Sequence, residues 1–141
     1  MRVYIDASVI IAALLSPSGG SALVLTYVKQ GKIIGITSQT VLFEVLKKTA
    51  KIKKSPAKIH AFINLNRLLV RQPLTISEIT PYQKFVSDPK DVHVVAGAKL
   101  TKCHYLITLD KRHLLKSDVQ KKVLPLQIVS PKEMLEKLVE K

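Results

Sequence analysis

The chain has 141 residues, of which 47% are hydrophobic and 23% are charged. This composition excludes a disordered chain and the length excludes two full-sized domains, so we expect one globular domain spanning residues 1–141. The 23 Lys and Arg against 10 Asp and Glu give a formal net charge of +13. Such a charge favours polyanionic partners, nucleic acid above all, with an anionic membrane surface or plain solubility as the alternative. The single cysteine, Cys103, excludes a disulfide framework and a cysteine-based zinc site.

The N-terminal segment is predicted to form a buried strand followed by an apolar helix. The strand "RVYID" ends at Asp6, the helix "ASVIIAALL" follows it, and the loop "SPSGG" is rich in residues that end helices. A short signal peptide has a similar outline, but Arg2 is the only basic residue before the apolar run and Asp6 stands directly before it. Since no apolar stretch reaches the roughly 18 residues that a membrane span requires, we expect a cytoplasmic protein that does not enter a membrane.

Helices and short apolar strands alternate through the rest of the chain. Helices are predicted over residues 21–30, 38–51, 56–70, 88–102 and 130–141. Strands are predicted at "KIIGIT", "YLIT" and "PLQIV", whereas "LTISEI" is either a short strand or a loop and "KRHLLK" is a turn or a single helical turn. Gly31 suits the C-terminal cap of its helix, and Ser130 and Glu133 suit a capping box. Continuous apolar strands between helices predict an α/β fold with a parallel sheet covered on both faces.

Half of the acidic residues lie where a charge needs an explanation: Asp6, Glu44, Asp88, Asp91 and Asp110. Asp6 and Asp110 each end a predicted buried strand, where a charge is costly unless it is hydrogen-bonded or coordinated. Ligands of α/β sheets bind beyond the carboxyl ends of the strands. If the two strands are neighbours, Asp91 and Glu44 could join the other acids from their helices. Clustered carboxylates repel one another, and a hard divalent cation such as Mg²⁺ or Mn²⁺ suits a site built from oxygen atoms.

The acids on helices also have a purely structural explanation. Asp88 before Pro89 is a typical helix cap, and Asp91 suits the positive end of the helix dipole and would complete something like a capping box. Glu44 would then be a solvated side chain that pairs with Lys48 one turn later. Both explanations, structural residues or a metal site, stay open at this point.

Four segments, in their order and spacing, resemble the PIN-domain ribonucleases: "VYIDASVIIAALL", "SQTVLFEVLKK", "DPKDVHVVAGAK" and "YLITLDKRHLL". That family includes the VapC-type toxins of bacterial and archaeal toxin–antitoxin pairs. The resemblance implies a three-layer α/β/α sandwich with a mainly parallel, Rossmann-like central sheet. It also implies Mg²⁺- or Mn²⁺-dependent cleavage of RNA, often single-stranded, by a protein that is often a homodimer and, in the toxins, is bound by an antitoxin protein.

The resemblance also implies roles for particular residues. The catalytic and metal-binding acids would be Asp6, Glu44, Asp91 and Asp110. Ser8 and Thr108 match the small hydroxyl residues that help to set the pocket. Many members carry a further acid where this chain has Arg112, which puts the number of metal ions and the turnover in question. Asp88 is a candidate replacement for that acid.

Basic residues follow two of these segments. Six lysines lie within residues 47–58, directly after the helix that carries Glu44, and they either hold phosphates or only solubilise a helix end. The predicted RNA contacts are Lys47, Lys48, Lys51, Lys111 and Arg112. His93 and His113 lie nearest to the predicted site, but the sequence indicates no partner for either.

These observations predict a divalent-metal-dependent endoribonuclease, with RNA as its substrate and an antitoxin as its candidate partner if it is a toxin. No P-loop, dinucleotide-binding glycine motif or nucleophile elbow favours another class of enzyme. The alternative is a non-catalytic PIN-like module that binds RNA or a protein. In that alternative the acids are helix caps and surface residues.

Overall fold

The computed structural model, which describes residues 1–140, contains a five-stranded sheet. Its strands are β1 (Arg2–Ile5), β2 (Ile34–Ser38), β3 (Leu69–Arg71), β4 (Tyr105–Ile107) and β5 (Gln127–Val129). They lie in the order β3-β2-β1-β4-β5, and every neighbouring pair is parallel. The chain moves outward from β1 to β3 on one side and from β4 to β5 on the other. The order therefore reverses between β1 and β4, which is where α/β sheets bind their ligands.

Helices cover both faces of this sheet. They are α1 (Ala7–Leu15), α2 (Gly20–Lys29), α3 (Gln39–Leu46), α4 (Thr49–Ile52), α5 (Pro56–Leu65), α6 (Ile76–Ile79), α7 (Val92–Leu100), α8 (Ser117–Val123) and α9 (Pro131–Val139), with 3-10 turns at Thr80–Phe85 and Pro89–Asp91. Helix α2 packs on α1 and α9, whereas α7 packs on β1, β2 and β4. Right-handed crossovers place these two groups of helices on opposite faces. The predicted three-layer α/β/α sandwich with a parallel sheet is confirmed.

The core lies on both sides of the two central strands. Val3, Tyr4 and Ile5 of β1 are fully buried, and so are Leu106 and Ile107 of β4. Neither strand alternates apolar with polar residues, because helices cover both of its faces. The acids that follow these strands therefore lie at the ends of rigid, fully packed elements.

Helix α7 approaches the sheet closely at Gly97. A Cβ atom at this position would lie 2.3 Å from the Tyr4 hydroxyl oxygen, so only glycine allows the present distance between α7 and β1. The same hydroxyl donates a hydrogen bond to Ser38 Oγ at 2.9 Å. Because α7 leads back to the parallel strand β4, its N-terminal end lies at the carboxyl edge of the sheet.

Most elements lie where the sequence predicts them. Strands β1, β2, β4 and β5 match the predicted strands. Gly31, after α2, has a φ of 77°, a left-handed conformation that favours glycine. The predicted capping box of Ser130 and Glu133 is present at the start of α9. The last residue of that predicted helix, Lys141, lies outside the described residues.

Two predictions in the middle of the chain are wrong. The helix predicted over residues 56–70 ends at Leu65, after which Arg67 adopts a left-handed φ of 58° and β3 begins at Leu69. A short apolar run does not distinguish a helix end from an edge strand. The segment "LTISEI" is neither a strand nor a loop, because Thr75 and Glu78 form a capping box that starts α6.

Two predicted helices are shorter than expected, and one helix was not predicted. The helix expected over residues 38–51 is divided into α3 and α4, because Lys48 leaves the helical conformation. The helix expected from Asp88 begins as a 3-10 turn and is an α-helix only from Val92. Helix α8 forms in a polar, lysine-rich stretch with few apolar positions to indicate it.

Among residues 1–140, no single helix is long and apolar enough to cross a membrane. Only α1 and α2 taken together reach the required length and apolarity, and the two are bent by 103° with respect to each other. Both helices bury several side chains in the core.

Candidate active site

Asp6 lies directly after β1, and its side chain is buried. The carboxylate accepts hydrogen bonds from the Ala7 N–H (2.7 Å), the Ser8 hydroxyl (3.0 Å) and the Thr108 hydroxyl (2.7 Å). Burial raises the pKa of Asp6, these hydrogen bonds oppose the rise, and the charge of Glu44 adds to it. Since a carboxylate has about four acceptor positions, one position of Asp6 remains for a cation.

Ser8 and Thr108 connect the carboxyl ends of β1 and β4. Besides donating to Asp6, Ser8 Oγ accepts a hydrogen bond from the Leu109 N–H at 3.1 Å. Thr108 Oγ1 likewise accepts one from the Asp110 N–H at 3.1 Å. The two hydroxyls therefore fix the segment that carries Asp110 relative to the Asp6 carboxylate.

Asp110 begins the turn that follows β4. Its Oδ1 accepts hydrogen bonds from the N–H groups of Arg112 (3.0 Å) and His113 (2.9 Å). Its Oδ2 lies 3.5 Å from Nδ1 of the His113 imidazole. Oδ1 thus fixes the conformation of the turn, while Oδ2 lies beside the His113 imidazole.

Asp91 lies at the N-terminal end of α7, with Oδ2 3.2 Å from His113 Nδ1. Burial is the first cause of a rise in the pKa of Asp91 to about 6. The charges of Asp110, Asp88 and Asp6 contribute to the same rise, and His113 opposes it. The Asp91 side chain accepts no capping hydrogen bond from the helix backbone. The expected capping box is therefore absent at Asp91, although the residue lies at the positive end of the helix dipole, as predicted. Asp91 also lies near acids from other segments.

Asp88 caps a 3-10 turn and also lies near the His113 imidazole. Its Oδ1 accepts a hydrogen bond from the Lys90 N–H (2.9 Å) and caps the 3-10 turn, as the helix-cap explanation predicts. Its Oδ2 lies 3.8 Å from His113 Nε2. Asp88, Asp91 and His113 each offer a ligand atom, and these atoms all lie within 4.8 Å of one another.

Glu44, on α3, contacts a histidine rather than a lysine. Its Oε1 pairs with Nε2 of His93 on α7, and no ion pair with Lys48 is present among the described residues. The Glu44 side chain is 42% exposed, whereas that of His93 is 10% exposed. The structural alternative, in which Glu44 pairs with Lys48, is therefore wrong, because α7 supplies His93 as the partner.

The structure places Asp88 and Asp91 with His113, and it brings Asp6, Glu44 and Asp110 near enough for their charges to raise the pKa of a neighbouring acid. We call these five acids the acidic edge: Asp6, Glu44, Asp88, Asp91 and Asp110. The sequence did not indicate the contacts that His93 and His113 make with these acids. His113 follows Asp110 by three residues, a spacing that a turn could have brought together. The contact of His93 with Glu44 joins residues 49 positions apart, and no local pattern indicates it.

The predicted basic residues are exposed and lie close in sequence to two of these acids. Lys47 ends α3, which carries Glu44, and Lys48 and Lys51 lie at α4. Lys111 and Arg112 lie in the turn after Asp110.

The donor atoms of the acidic edge fit a hard divalent cation. Asp88, Asp91 and His113 offer ligand atoms within 4.8 Å of one another, and Asp6 retains an acceptor position. Burial and the charges of neighbouring acids raise the pKa of Asp91 to about 6. Oxygen ligands of this kind suit Mg²⁺ or Mn²⁺, and the imidazole is compatible with Mn²⁺. A bound cation would relieve the repulsion that the fold builds into this edge.

Solved structures with low sequence identity share this fold. The VapBC2 complex of Rickettsia felis, solved bound to a DNA fragment from its promoter, contains a chain that matches with a TM-score of 0.64 and 15% identity. That match covers 92% of this chain and 98% of the other. PAE2754 from Pyrobaculum aerophilum matches with a TM-score of 0.60 and 14% identity, over 100% of this chain and 97% of the other. No curated protein sequence gives a significant match.

A family model identifies the chain more specifically than these structures do. The model of the PIN domain matches residues 2–112. This range contains the first three resembling segments, the fourth as far as Arg112, and every acid of the acidic edge. The chain therefore belongs to the PIN-domain family.

Proposed function

We propose that this protein is a divalent-metal-dependent endoribonuclease. The observation that carries the proposal is the meeting of acids from separate segments at the carboxyl edge of β1 and β4, where burial and the charges of Asp110, Asp88 and Asp6 raise the pKa of Asp91 to about 6. Clustered carboxylates destabilise a fold unless they serve a ligand. PIN domains are generally nucleases, which supports the cleavage of a nucleic acid as the reaction.

Four residues would hold the cation, Mg²⁺ or Mn²⁺: Asp6, Glu44, Asp91 and Asp110. When bound, such a cation lowers the pKa of a coordinated water and stabilises the negative charge that develops on a phosphate. Ser8 and Thr108 orient the Asp6 carboxylate through their hydroxyl groups. The turn after Asp110 keeps one of its oxygens facing Asp91 across the His113 imidazole. Asp88 is a further acid within reach of the same imidazole.

RNA is the substrate that the charge of the protein and its sequence resemblance support together. A net charge of +13 attracts a polyanion and gains free energy from the release of its counterions. The residues that we assign to phosphate contacts are Lys47, Lys48, Lys51, Lys111 and Arg112. They are exposed and follow Glu44 and Asp110 closely in the chain, so on this proposal a single strand held by them reaches the carboxylates.

Within the family, we place the chain among the VapC-type toxins. The support is its likeness to a chain of the VapBC2 complex over nearly the whole length of both chains. On this proposal the protein acts in the cytoplasm as a homodimer, and an antitoxin protein binds it and keeps it inactive.

A cleavage assay tests the proposal. End-labelled, mixed-sequence single-stranded RNA is incubated with the wild type, Asp110→Asn, or the control Glu136→Gln, in Mn²⁺, Mg²⁺ or EDTA. We expect the wild type and the control to cleave only with metal, and Asp110→Asn to lose most of that activity while still binding RNA. The control removes an exposed carboxylate on α9, outside the acidic edge.

The contrary result is salt-sensitive RNA binding without metal-dependent cleavage. That outcome would identify the protein as a non-catalytic module that binds RNA. Arg112, at the position where many members carry an acid, would then be part of the explanation.

A further inference from the structure

His93 lies at a position of α7 where an apolar residue would pack without cost. It is buried between the equally buried Val92 and Val94. Its Nδ1 atom is buried and has no hydrogen-bond partner among the residues that the structure describes. A buried polar atom without a partner destabilises a fold, and a leucine of similar size would avoid that cost. The imidazole therefore needs an explanation outside the packing of the core.

The other ring nitrogen supplies that explanation. His93 Nε2 contacts Glu44 Oε1 and so links α7 to α3. A neutral imidazole carries one N–H, and an Nε2–H group that donates to the carboxylate leaves Nδ1 as a bare acceptor. No acceptor lies within hydrogen-bond distance of Nδ1 among the described residues, which agrees with a tautomer in which Nδ1 carries no proton.

We propose that His93 is a positioning residue that holds the Glu44 carboxylate towards Asp6 in the arrangement that binds the divalent cation. This inference rests on the proposed function, since it concerns the affinity of the same site. His93 touches neither substrate nor cation on this proposal and acts only through Glu44.

The exposure of Glu44 explains why it needs a positioning residue. Its side chain has three rotatable bonds and is 42% exposed, so without a partner it would sample many rotamers. The contact with His93 occupies Oε1 and leaves Oε2 available to a cation. Asp6 lies near enough for the charge of Glu44 to raise its pKa, so the restrained carboxylate lies in the neighbourhood of the buried acid.

Hydrogen-bond partners of metal ligands have measurable effects in other proteins. Removing such a partner typically lowers metal affinity or activity by roughly 10- to 100-fold. We therefore expect the loss of the Nε2 donor to raise the Mn²⁺ dissociation constant by about tenfold or more.

Three substitutions separate the donor atom from the packing of the side chain. His93→Leu fills the site without a donor. His93→Gln places an amide nitrogen near the position of Nε2, whereas His93→Asn is too short and places it near Nδ1. We expect Leu and Asn to weaken Mn²⁺ binding, measured from free Mn²⁺ by electron paramagnetic resonance, and Gln to keep an affinity near that of the wild type. Urea unfolding in EDTA checks that each variant is folded, and we expect His93→Leu to be at least as stable as the wild type.

A double-mutant cycle with Glu44→Ala tests whether His93 acts through Glu44. When two residues act through one contact, the effects of their substitutions on affinity are not additive. His93→Leu should therefore change the Mn²⁺ affinity little once Glu44 is alanine. Equal affinities of the wild type and His93→Leu, equal losses in the Gln and Leu variants, or additive effects in the cycle would each overturn the proposal. A wild type that binds no Mn²⁺ would contradict the proposed function itself, and this inference with it.

Discussion

The substitution Asp91→Asn removes one negative charge from the acidic edge and changes the shape of the side chain little. In the metal-free protein the Asp91 carboxylate is partly buried and close to Asp110, Asp88 and Asp6, which is why its pKa rises from 3.8 to about 6. An asparagine at this position carries no charge to be repelled. We therefore expect Asp91→Asn to be more stable than the wild type in EDTA at neutral pH.

The magnitude follows from the shift in pKa. A rise of roughly 2 units corresponds to about 3 kcal/mol, since each unit is about 1.4 kcal/mol, and partial access of solvent reduces the expected gain to about 1–3 kcal/mol. The raised pKa means that the ionised carboxylate destabilises the folded state. This penalty is fully present above about pH 6 and is absent below the unfolded pKa of 3.8. The stability of the wild type should therefore fall as the pH rises through this window, and its difference from Asp91→Asn should disappear near pH 4.

Urea unfolding followed by circular dichroism, in EDTA at about pH 7.5 and about pH 4, measures this difference. Glu136→Gln, which removes an exposed carboxylate on α9, is the matched control and should show no comparable gain. If the charge of Asp91 instead stabilised the positive end of the helix dipole, Asp91→Asn would lose roughly 0.3–1 kcal/mol of stability. If Asp91→Asn is less stable than the wild type at pH 7.5, or if its gain in stability does not depend on pH, then the ionised Asp91 carboxylate does not destabilise the folded protein.

Three further predictions concern the metal, the RNA and the packing of α7. Mn²⁺ at about 100 times its dissociation constant should stabilise the wild type by roughly 2.7 kcal/mol in urea unfolding. An equal gain in stability of Asp91→Asn would mean that Asp91 does not bind the cation. Replacing Lys47 and Lys48 with alanine should weaken binding of single-stranded RNA and lower the slope of log affinity against log salt by about 0.7 per lost contact. An unchanged slope would mean that these lysines only solubilise the helix end. Gly97→Ala should destabilise the protein by roughly 1–3 kcal/mol in urea unfolding, because its Cβ would collide with the Tyr4 hydroxyl. If the variant is as stable as the wild type, α7 can move away from β1.

The sequence predicts those parts of the fold in which local pattern and tertiary packing agree. The strands that carry Asp6 and Asp110 are continuous apolar runs that end in an acid, so both their burial and their end at one edge of the sheet are predictable. Gly31 and the capping box of Ser130 and Glu133 are local signals, and each is confirmed.

The remaining features depend on contacts between distant segments. The edge strand β3 is only three residues long and pairs with β2, so nothing within Leu69–Arg71 distinguishes it from the end of a helix. The partner of Glu44 lies on α7, and only the fold reveals that His93, rather than Lys48, occupies that place. The pKa of Asp91 likewise depends on acids from other segments.

Anomalous diffraction from crystals grown with Mn²⁺ would show whether the acids of the acidic edge bind a cation together, because it locates the cation without reference to activity. We expect an anomalous peak at the acidic edge, contacted by the carboxylates of Asp6, Asp91 and Asp110, with Glu44 directed at it. No peak at this edge, or a peak bound only by Asp88 and His113, would contradict the claim that these acids form one metal-binding active site.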